Sequence, residues 1–156
     1  MTRPREACSI RGARLGDIEG ILALEQLFET DRVSRRALRR FLRVPSASVW
    51  VAVGLEGVLG SCILLTKANT ARARIYSLIV SPRARGQGLA SRLLEAAERA
   101  ARRAGCDWMV LEVARDNRAA RALYEKRGYR WQRALSAYYE DGSDGDRLEK
   151  PLRRQR

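Results

Sequence analysis

The chain contains no histidine. Zinc sites draw heavily on imidazole, and Ser-His and Cys-His catalysis require it, so those readings fall away. Cysteine is scarce: Cys8, Cys62 and Cys106 are odd in number and scattered, with neither metal-ligand nor redox spacing. No metal site is expected, and a reducing cytoplasm is the simplest setting. No apolar run approaches the roughly 18 residues of a membrane span. Residues 1–14 also lack the apolar core of a signal peptide, so secretion is not expected. Lysine is almost missing. Only Lys67, Lys126 and Lys150 occur, so a net charge of +13 is nearly all arginine. A GC-rich genome produces such a bias, yet a charge of this size still attracts coenzyme phosphates, acidic peptides or a ribosomal surface. No aromatic RNA-binding strand or zinc finger is visible, so specific nucleic-acid binding is not expected.

What is present is an ordinary globular composition, 46% hydrophobic and 31% charged, over 156 residues. That length supports one domain with a real core, spanning 1–156 with loose ends at 1–7 and 153–156. The organising stretch is residues 75–104. Residues 75–80 are rich in branched apolar side chains and predict a strand, ended by Ser81-Pro82. Helical spacing follows. Leu89, Leu93, Leu94, Ala97, Ala100 and Ala101 share one face, and Arg92, Glu95, Glu98, Arg99, Arg102 and Arg103 the other. Gly105 ends this helix as its C′ residue. Between strand and helix lies Arg85-Gly86-Gln87-Gly88-Leu89-Ala90. The two glycines allow a sharp turn and leave the first helical amides uncovered, where the helix dipole favours a phosphate. By itself a glycine pair before a helix is more often plain turn chemistry. A third glycine or a Gly-Lys-Ser/Thr would mark a dinucleotide fingerprint or a P-loop, and neither is present.

In chain order, residues 8–13 predict a short strand, and a helix starts at Asp17, whose carboxylate is placed to cap it. Ile18, Ile21, Leu22, Glu25 and Leu27-Phe28 form its apolar face. Ser34 caps a second helix over 34–42 with Leu38, Phe41 and Leu42 inward. Residues 49–53 and 58–66 predict a hairpin around Gly54-Leu55-Glu56-Gly57, and a turn at 67–71 leads into the strand ending at Val80. Residues 108–114 predict a buried strand and 116–127 a helix closed by Gly128. A strand follows at 129–137, then a polar loop at 139–146 and a last short strand at 147–152. The order is β-α-α-β-β-β-α-β-α-β-β, an α/β (α+β) chain with a mixed central sheet of about seven strands and four helices. Glu112 interrupts an apolar strand. Either it faces solvent or pairs with an arginine, or it is a carboxylate buried for use.

Two strings in this chain resemble the GNAT family of N-acetyltransferases. The first is Gln/Arg-x-x-Gly-x-Gly/Ala, matched by Arg85, Gly88 and Ala90. The second, in DNRAARALYEKRGY, is matched by Asn117, Ala120, Leu123, Tyr124, Gly128 and Tyr129. The resemblance implies the GNAT fold over nearly the whole chain and acetyl-coenzyme A as co-substrate. It implies that Arg85, Gly86, Gln87, Gly88, Leu89, Ala90 and Ser91 hold the pyrophosphate. Leu78, Ile79 and Val80 would bond the pantetheine and the thioester carbonyl from a splayed strand, an oxyanion-type stabilisation. Asn117 would hold the coenzyme arm, together with Tyr124. Glu112 would be the general base and Tyr124 the acid that protonates the leaving thiolate. No covalent enzyme intermediate is needed, so Cys62 and Cys106 read as packing residues. Within the family, LEVARDNRAARALY and Tyr138-Tyr139 look most like the RimI-type ribosomal-protein-alanine N-acetyltransferases. This implies a protein N-terminus as acceptor, held by Phe28, Tyr138 and Tyr139. The departures are Ala114-Arg115-Asp116, the loop EDGSDGDR, and a segment 27–32 without proline. Two alternatives stand beside this: a GNAT enzyme for a small-molecule or side-chain amine, and a non-catalytic coenzyme-A-binding or ribosome-associated module.

Overall fold

The computed structural model describes residues 7–28, 32–67 and 70–152. The chain ends expected to be loose, 1–6 and 153–156, and part of the proline-free segment, 29–31, lie outside the described residues. Strand β1 is Ser9–Gly12, followed by helices α1 (Ile18–Glu25) and α2 (Arg35–Phe41). Strands β2 (Ala47–Gly54), β3 (Gly57–Thr66) and β4 (Arg72–Val80) come next, then helix α3 (Leu89–Arg103). Strand β5 (Trp108–Ala114), helix α4 (Arg118–Lys126) and strands β6 (Arg130–Leu135) and β7 (Gly145–Pro151) complete the order. All seven strands form one sheet in the order β1-β2-β3-β4-β5-β7-β6. The β4–β5 pair is parallel and the others are antiparallel. Among the described residues no helix is long and apolar enough to cross a membrane.

Helices cover both faces of the sheet. Leu89, Leu93, Leu94, Ala97 and Ala101 of α3 pack on Leu59, Cys62, Leu64, Met109 and Leu111. On the opposite face, Ile18 and Ile21 of α1 and Leu38 of α2 pack on Val49, Val51 and Ile63. Residues 59–64 of β3 are therefore buried without alternation, because neighbours of opposite facing both meet a helix. Strand β6 at the sheet's edge is exposed along most of its length, and its arginines keep that edge from pairing further.

Local chemistry sets most boundaries. The Ser34 hydroxyl accepts from the Ala37 amide at 3.1 Å and starts α2. Gly105, at φ +83°, closes α3, with Cys106 N–H donating to the Ala101 carbonyl and Gly105 N–H to Arg102. Two expectations fail. Asp17 does not cap α1: its carboxylate turns back to the Arg14 amide at 2.7 Å and pairs with the Arg11 guanidinium, and a 3₁₀ turn precedes the helix. Arg11 lowers the Asp17 carboxyl below its ordinary range, a stronger attraction than a helix start supplies. Glu98 does not face solvent with the charged side of α3. It is 1% exposed and accepts from the Tyr129 hydroxyl at 2.9 Å, from Arg127 at 3.0 Å and from Lys150 at 3.0 and 3.1 Å. Cations brought from elsewhere in the chain compensate its burial.

Leu93 is fully buried against β3, where an added Cβ at Gly60 would stand 2.9 Å from it. Leu93→Ala is expected to cost about 2–5 kcal/mol in urea unfolding, a transfer loss plus a cavity that close packing cannot collapse. Leu55→Ala, at a residue 90% exposed, is the control and should stay within about 0.5 kcal/mol. Equal midpoints for the two variants would refute this picture of the core.

Candidate active site

Strands β4 and β5 stay together for three register pairs only: Arg72–Trp108, Ala73–Met109 and Arg74–Val110. Beyond these, residues 75–80 and 111–114 diverge. Each strand keeps its other partner: β4 pairs with β3 up to Val80, and β5 pairs with β7 up to Ala114. A register shift in β4, where Ser77 lies opposite Ile63 and Ile75 opposite Leu64, leaves Tyr76 as the extra residue of a bulge. Bulges bend a strand and increase its twist. The result is a cleft whose walls are unpaired strand edges.

Two cavities follow the cleft. One, of about 370 Å³, is walled by residues 75–79 of β4 and 111–114 of β5 and reaches Asn117 and Tyr124 of α4. The other, of about 250 Å³, lies at the start of α3 and is lined by Val80, Arg85, Gly86, Gly88, Leu89, Ala90, Ser91 and Leu123. Gln87 is not part of this lining. Consecutive residues join the two cavities, Ile79 to Val80 on β4 and Leu123 to Tyr124 on α4, so they form one track. Gly88, the N-cap of α3, sits at φ +75° and Gly86 at φ +80°, where side chains other than glycine are strained. A Cβ on either would enter open space. The first backbone donor into the helix ladder is Arg92, bonding to Gly88, and no acceptor among the described residues takes the amides of Leu89, Ala90 or Ser91. These amides, the open space above them and the helix dipole fit a pyrophosphate.

The expected catalytic pair meets in the first cavity. The Glu112 side chain is 5% exposed. Its Oε2 accepts from Arg74 Nε at 3.0 Å and its Oε1 from Nη2 of Arg147, its cross-strand partner on β7, at 3.1 Å. Pairing with arginine is therefore the arrangement found, and with two of them. Arg74 also donates from Nη2 to the Tyr138 hydroxyl at 3.1 Å, tying the base of the cleft to the β6–β7 loop. Tyr124 is buried, its ring edge-on to Tyr129 at 5.8 Å, and its hydroxyl has no hydrogen-bond partner among the described residues. Burial, with a smaller effect of Cys62 and Tyr139, pushes its pKa well above the ordinary tyrosine value. The phenol keeps its proton across the physiological range and can act as a donor. Asn117 caps α4, its Oδ1 accepting from the Ala120 amide at 3.2 Å, and its amide nitrogen bonds to nothing among the described residues.

The aromatic residues expected to hold an acceptor also converge. Phe28 and Tyr139 line the first cavity. Tyr138 and Tyr139, with rings 5.0 Å apart and nearly perpendicular, wall an adjoining space of about 480 Å³ with Arg32, Arg74, Tyr76 and Glu112.

Besides Glu112, the carboxylates of Glu25, Asp116 and Asp141 line the cavity. Glu25, the last residue of α1, is 3% exposed and lines the same space as Tyr124. Its Oε2 accepts weakly from the Val33 amide at 3.3 Å, and its Oε1 has no partner. Burial raises its pKa, and the Val33 amide and Arg32 offset only part of that. The sequence carries a signal for it. Glu25 falls in the apolar series Ile18, Ile21, Leu22, Glu25, where a carboxylate is out of place. Arg74 and Arg147 carry no comparable signal among so many arginines.

Comparisons with known proteins agree with this geometry. The chain is 29% identical over 133 residues to N-alpha-acetyltransferase 30 of Schizosaccharomyces pombe, covering 83% of this chain and 89% of the relative. It superposes on the crystal structure of Ard1 from Thermoplasma volcanium with a TM-score of 0.85 at 26% identity, over 95% of this chain and 99% of that one. The ribosomal-protein-S18-alanine N-acetyltransferase of Escherichia coli shares the fold, with a TM-score of 0.83 at 22% identity over 96% of this chain and 97% of that one. Residues 18–129, which include Glu25, Glu112 and the turn at the start of α3, match the acetyltransferase (GNAT) family, and the chain belongs to it: an acyltransferase that takes its acetyl group from acetyl-coenzyme A.

Proposed function

We propose that the chain acetylates protein N-terminal α-amino groups, in the manner of the RimI-type enzymes, in a cytoplasmic setting. The observation that carries this is the acceptor end of the cleft. Its walls are Phe28, Tyr76, Tyr138 and Tyr139, and guanidiniums from Arg32 and Arg74 stand beside Glu112. Glu112 and Glu140 line this space beside the arginines, so its aromatic walls, not a charge of one sign, carry the assignment. One α-amine on an uncharged peptide end fits, with aromatic faces for its first side chains. The relatedness to an N-alpha-acetyltransferase supports the same acceptor.

Acetyl-coenzyme A supplies an activated acyl thioester, and the chain's residues do the rest. The amides across Arg85, Gly86, Gln87, Gly88, Leu89, Ala90 and Ser91 hold the pyrophosphate. Leu78, Ile79 and Val80 offer backbone groups on the cleft edge to the pantetheine and to the developing oxyanion. The Asn117 amide nitrogen steadies the coenzyme arm. Glu112 accepts the amine's proton, directly or through water. A carboxylate has about four lone-pair sites. Arg74 and Arg147 each take one, so both oxygens keep room for a hydrogen bond from the amine. Tyr124 gives its proton to the departing thiolate. Glu25, with one oxygen free in the same cavity, is a second proton acceptor.

Gly88→Val is expected to weaken coenzyme A binding roughly tenfold or more in calorimetry, because a charge-assisted hydrogen bond contributes about 1.5–3 kcal/mol. Unchanged affinity would remove the turn from the site. Tyr124→Phe should keep that affinity and lose on the order of 10²-fold in turnover, since only a proton donor is removed. Full rate would make Tyr124 a packing residue.

The carboxylates are separated by pH–rate profiles on a peptide with a free N-terminal alanine, with spermidine as a second acceptor. Glu112→Gln should lose most at low pH and recover partly as pH rises through the amine's pKa of about 7.7–8.0. For Glu25 the sign runs from its raised pKa. As pH falls through that value the side chain takes up a proton and ceases to be a base, so wild type shows an acidic limb that Glu25→Gln lacks. Profiles identical to wild type would exclude the corresponding residue. Faster acetylation of spermidine than of any peptide would sink the N-terminal assignment.

A further inference from the structure

A further groove adjoins the cleft from the side of α2. It measures about 1180 Å³ and lies between α2 and the ends of β3 and β4. Arg36, Arg40, Arg43 and Lys67 stand in its wall, and among the described residues none of their side chains makes an ion pair or hydrogen bond. No acidic side chain lines it among the described residues. Arg74 and Arg147, the two guanidiniums on Glu112, line it as well, and Arg74 also walls the acceptor space. The groove therefore runs up to the point where the acceptor's first residue is held.

Arg40 lies in the last turn of α2, where the dipole favours cations, but Arg36 stands against local stability. Arg36 and Arg40 are i, i+4 neighbours, a like-charge pair that destabilises a helix. The first turn of α2 holds no acidic residue, while Arg35 and Arg36 occupy the end where the dipole disfavours cations. Helix α2 is anchored by Leu38, which is fully buried, and its packing does not use the arginines. An acidic occupant would compensate Arg36, Arg40 and Arg43.

We propose that this groove receives an acidic segment of the acceptor protein, lying after the residues that enter the aromatic cleft. The inference rests on the N-terminal acceptor proposed above and adds a sequence preference to it. A peptide fits better than RNA, because single-stranded RNA is held by stacking on aromatic faces. The groove's aromatic residue, Phe41, is already packed edge-on against Tyr76, with centroids 5.1 Å apart.

Two measurements test this on the full chain. In the first, two peptides share an N-terminal Ala-Ser-Ala and continue with either four aspartates and glutamates or four serines. The KM ratio of the pair is read for wild type and for the combined variant Arg36→Gln, Arg40→Gln, Arg43→Gln. Wild type should favour the acidic peptide about tenfold in KM at low salt, what two or three exposed ion pairs supply. The ratio should approach one in the variant and in high salt. The second measurement is fluorescence anisotropy with the same acidic peptide, N-terminally blocked and labelled at its C-terminus, which needs no acetylation. Salt-sensitive binding that the variant loses supports the groove even if neither free peptide is a substrate, and that result would instead refute the N-terminal acceptor. Equal KM values with equal binding by both proteins would overturn the proposal and leave the acceptor class intact. A labelled RNA oligonucleotide bound through the same arginines, with no preference for the acidic peptide, would overturn it in favour of nucleic acid. Coenzyme A binding and circular dichroism verify that the variant is folded.

Discussion

Everything the site does depends on two parallel strands that separate after three register pairs. A strand in the middle of a sheet ordinarily spends its backbone groups on both neighbours. Here β4 and β5 each spend theirs on one neighbour past Arg74 and Val110 and leave the facing edges to bind something else. The parting is held open from outside. Antiparallel pairing with β3 fixes one lip, pairing with β7 fixes the other, and the bulge at Tyr76 turns the first lip away. Helix α3 begins beyond the open end and α4 beside it, so the uncovered amides of α3 and the Tyr124 hydroxyl are placed by the same divergence. A central sheet covered by helices on both faces is rigid enough to keep such an edge unsatisfied until a substrate arrives.

Charge in the cleft follows a similar division. Glu112 is fixed by two guanidiniums from different strands, one of which also carries Tyr138, so the acidic group and the aromatic wall move as one piece. Glu25 stands opposite, on a helix end, with an oxygen that nothing occupies. One carboxylate is oriented and compensated; the other is buried and raised in pKa. Two carboxylates with such different surroundings are suited to different tasks at one pH.

The sequence yields the element order and most boundaries because local chemistry decides them. The Ser34 cap, the Gly105 and Gly128 stops and the apolar stripe of α3 are each readable within a few residues, and all are found. The Gly86–Gly88 turn is readable for the same reason. What escapes is charge placed by partners far along the chain. Asp17 has the residue type and position of a cap, but Arg11 across the turn attracts it more strongly. Glu98 fits a solvent-facing stripe by period, and only the fold supplies the cations that allow it inside. Glu25 stood in plain view as an acid within an apolar series. Its burial depends on Val33 and β4 closing around it, which periodicity does not report.

The Glu98 cluster bears on the order in which this chain can assemble. Its carboxylate lies in the middle of the helix that covers the core, while its counter-charges stand 29 and 52 residues further on, at Arg127 and Lys150. A chain emerging from synthesis presents α3 long before it presents β7. Docking the helix at that stage would bury a carboxylate with no cation beside it, at the cost of taking up a proton. The last strand then delivers Lys150 to Glu98 and Arg147 to Glu112 together. The core and the cleft therefore draw counter-charges from the same strand.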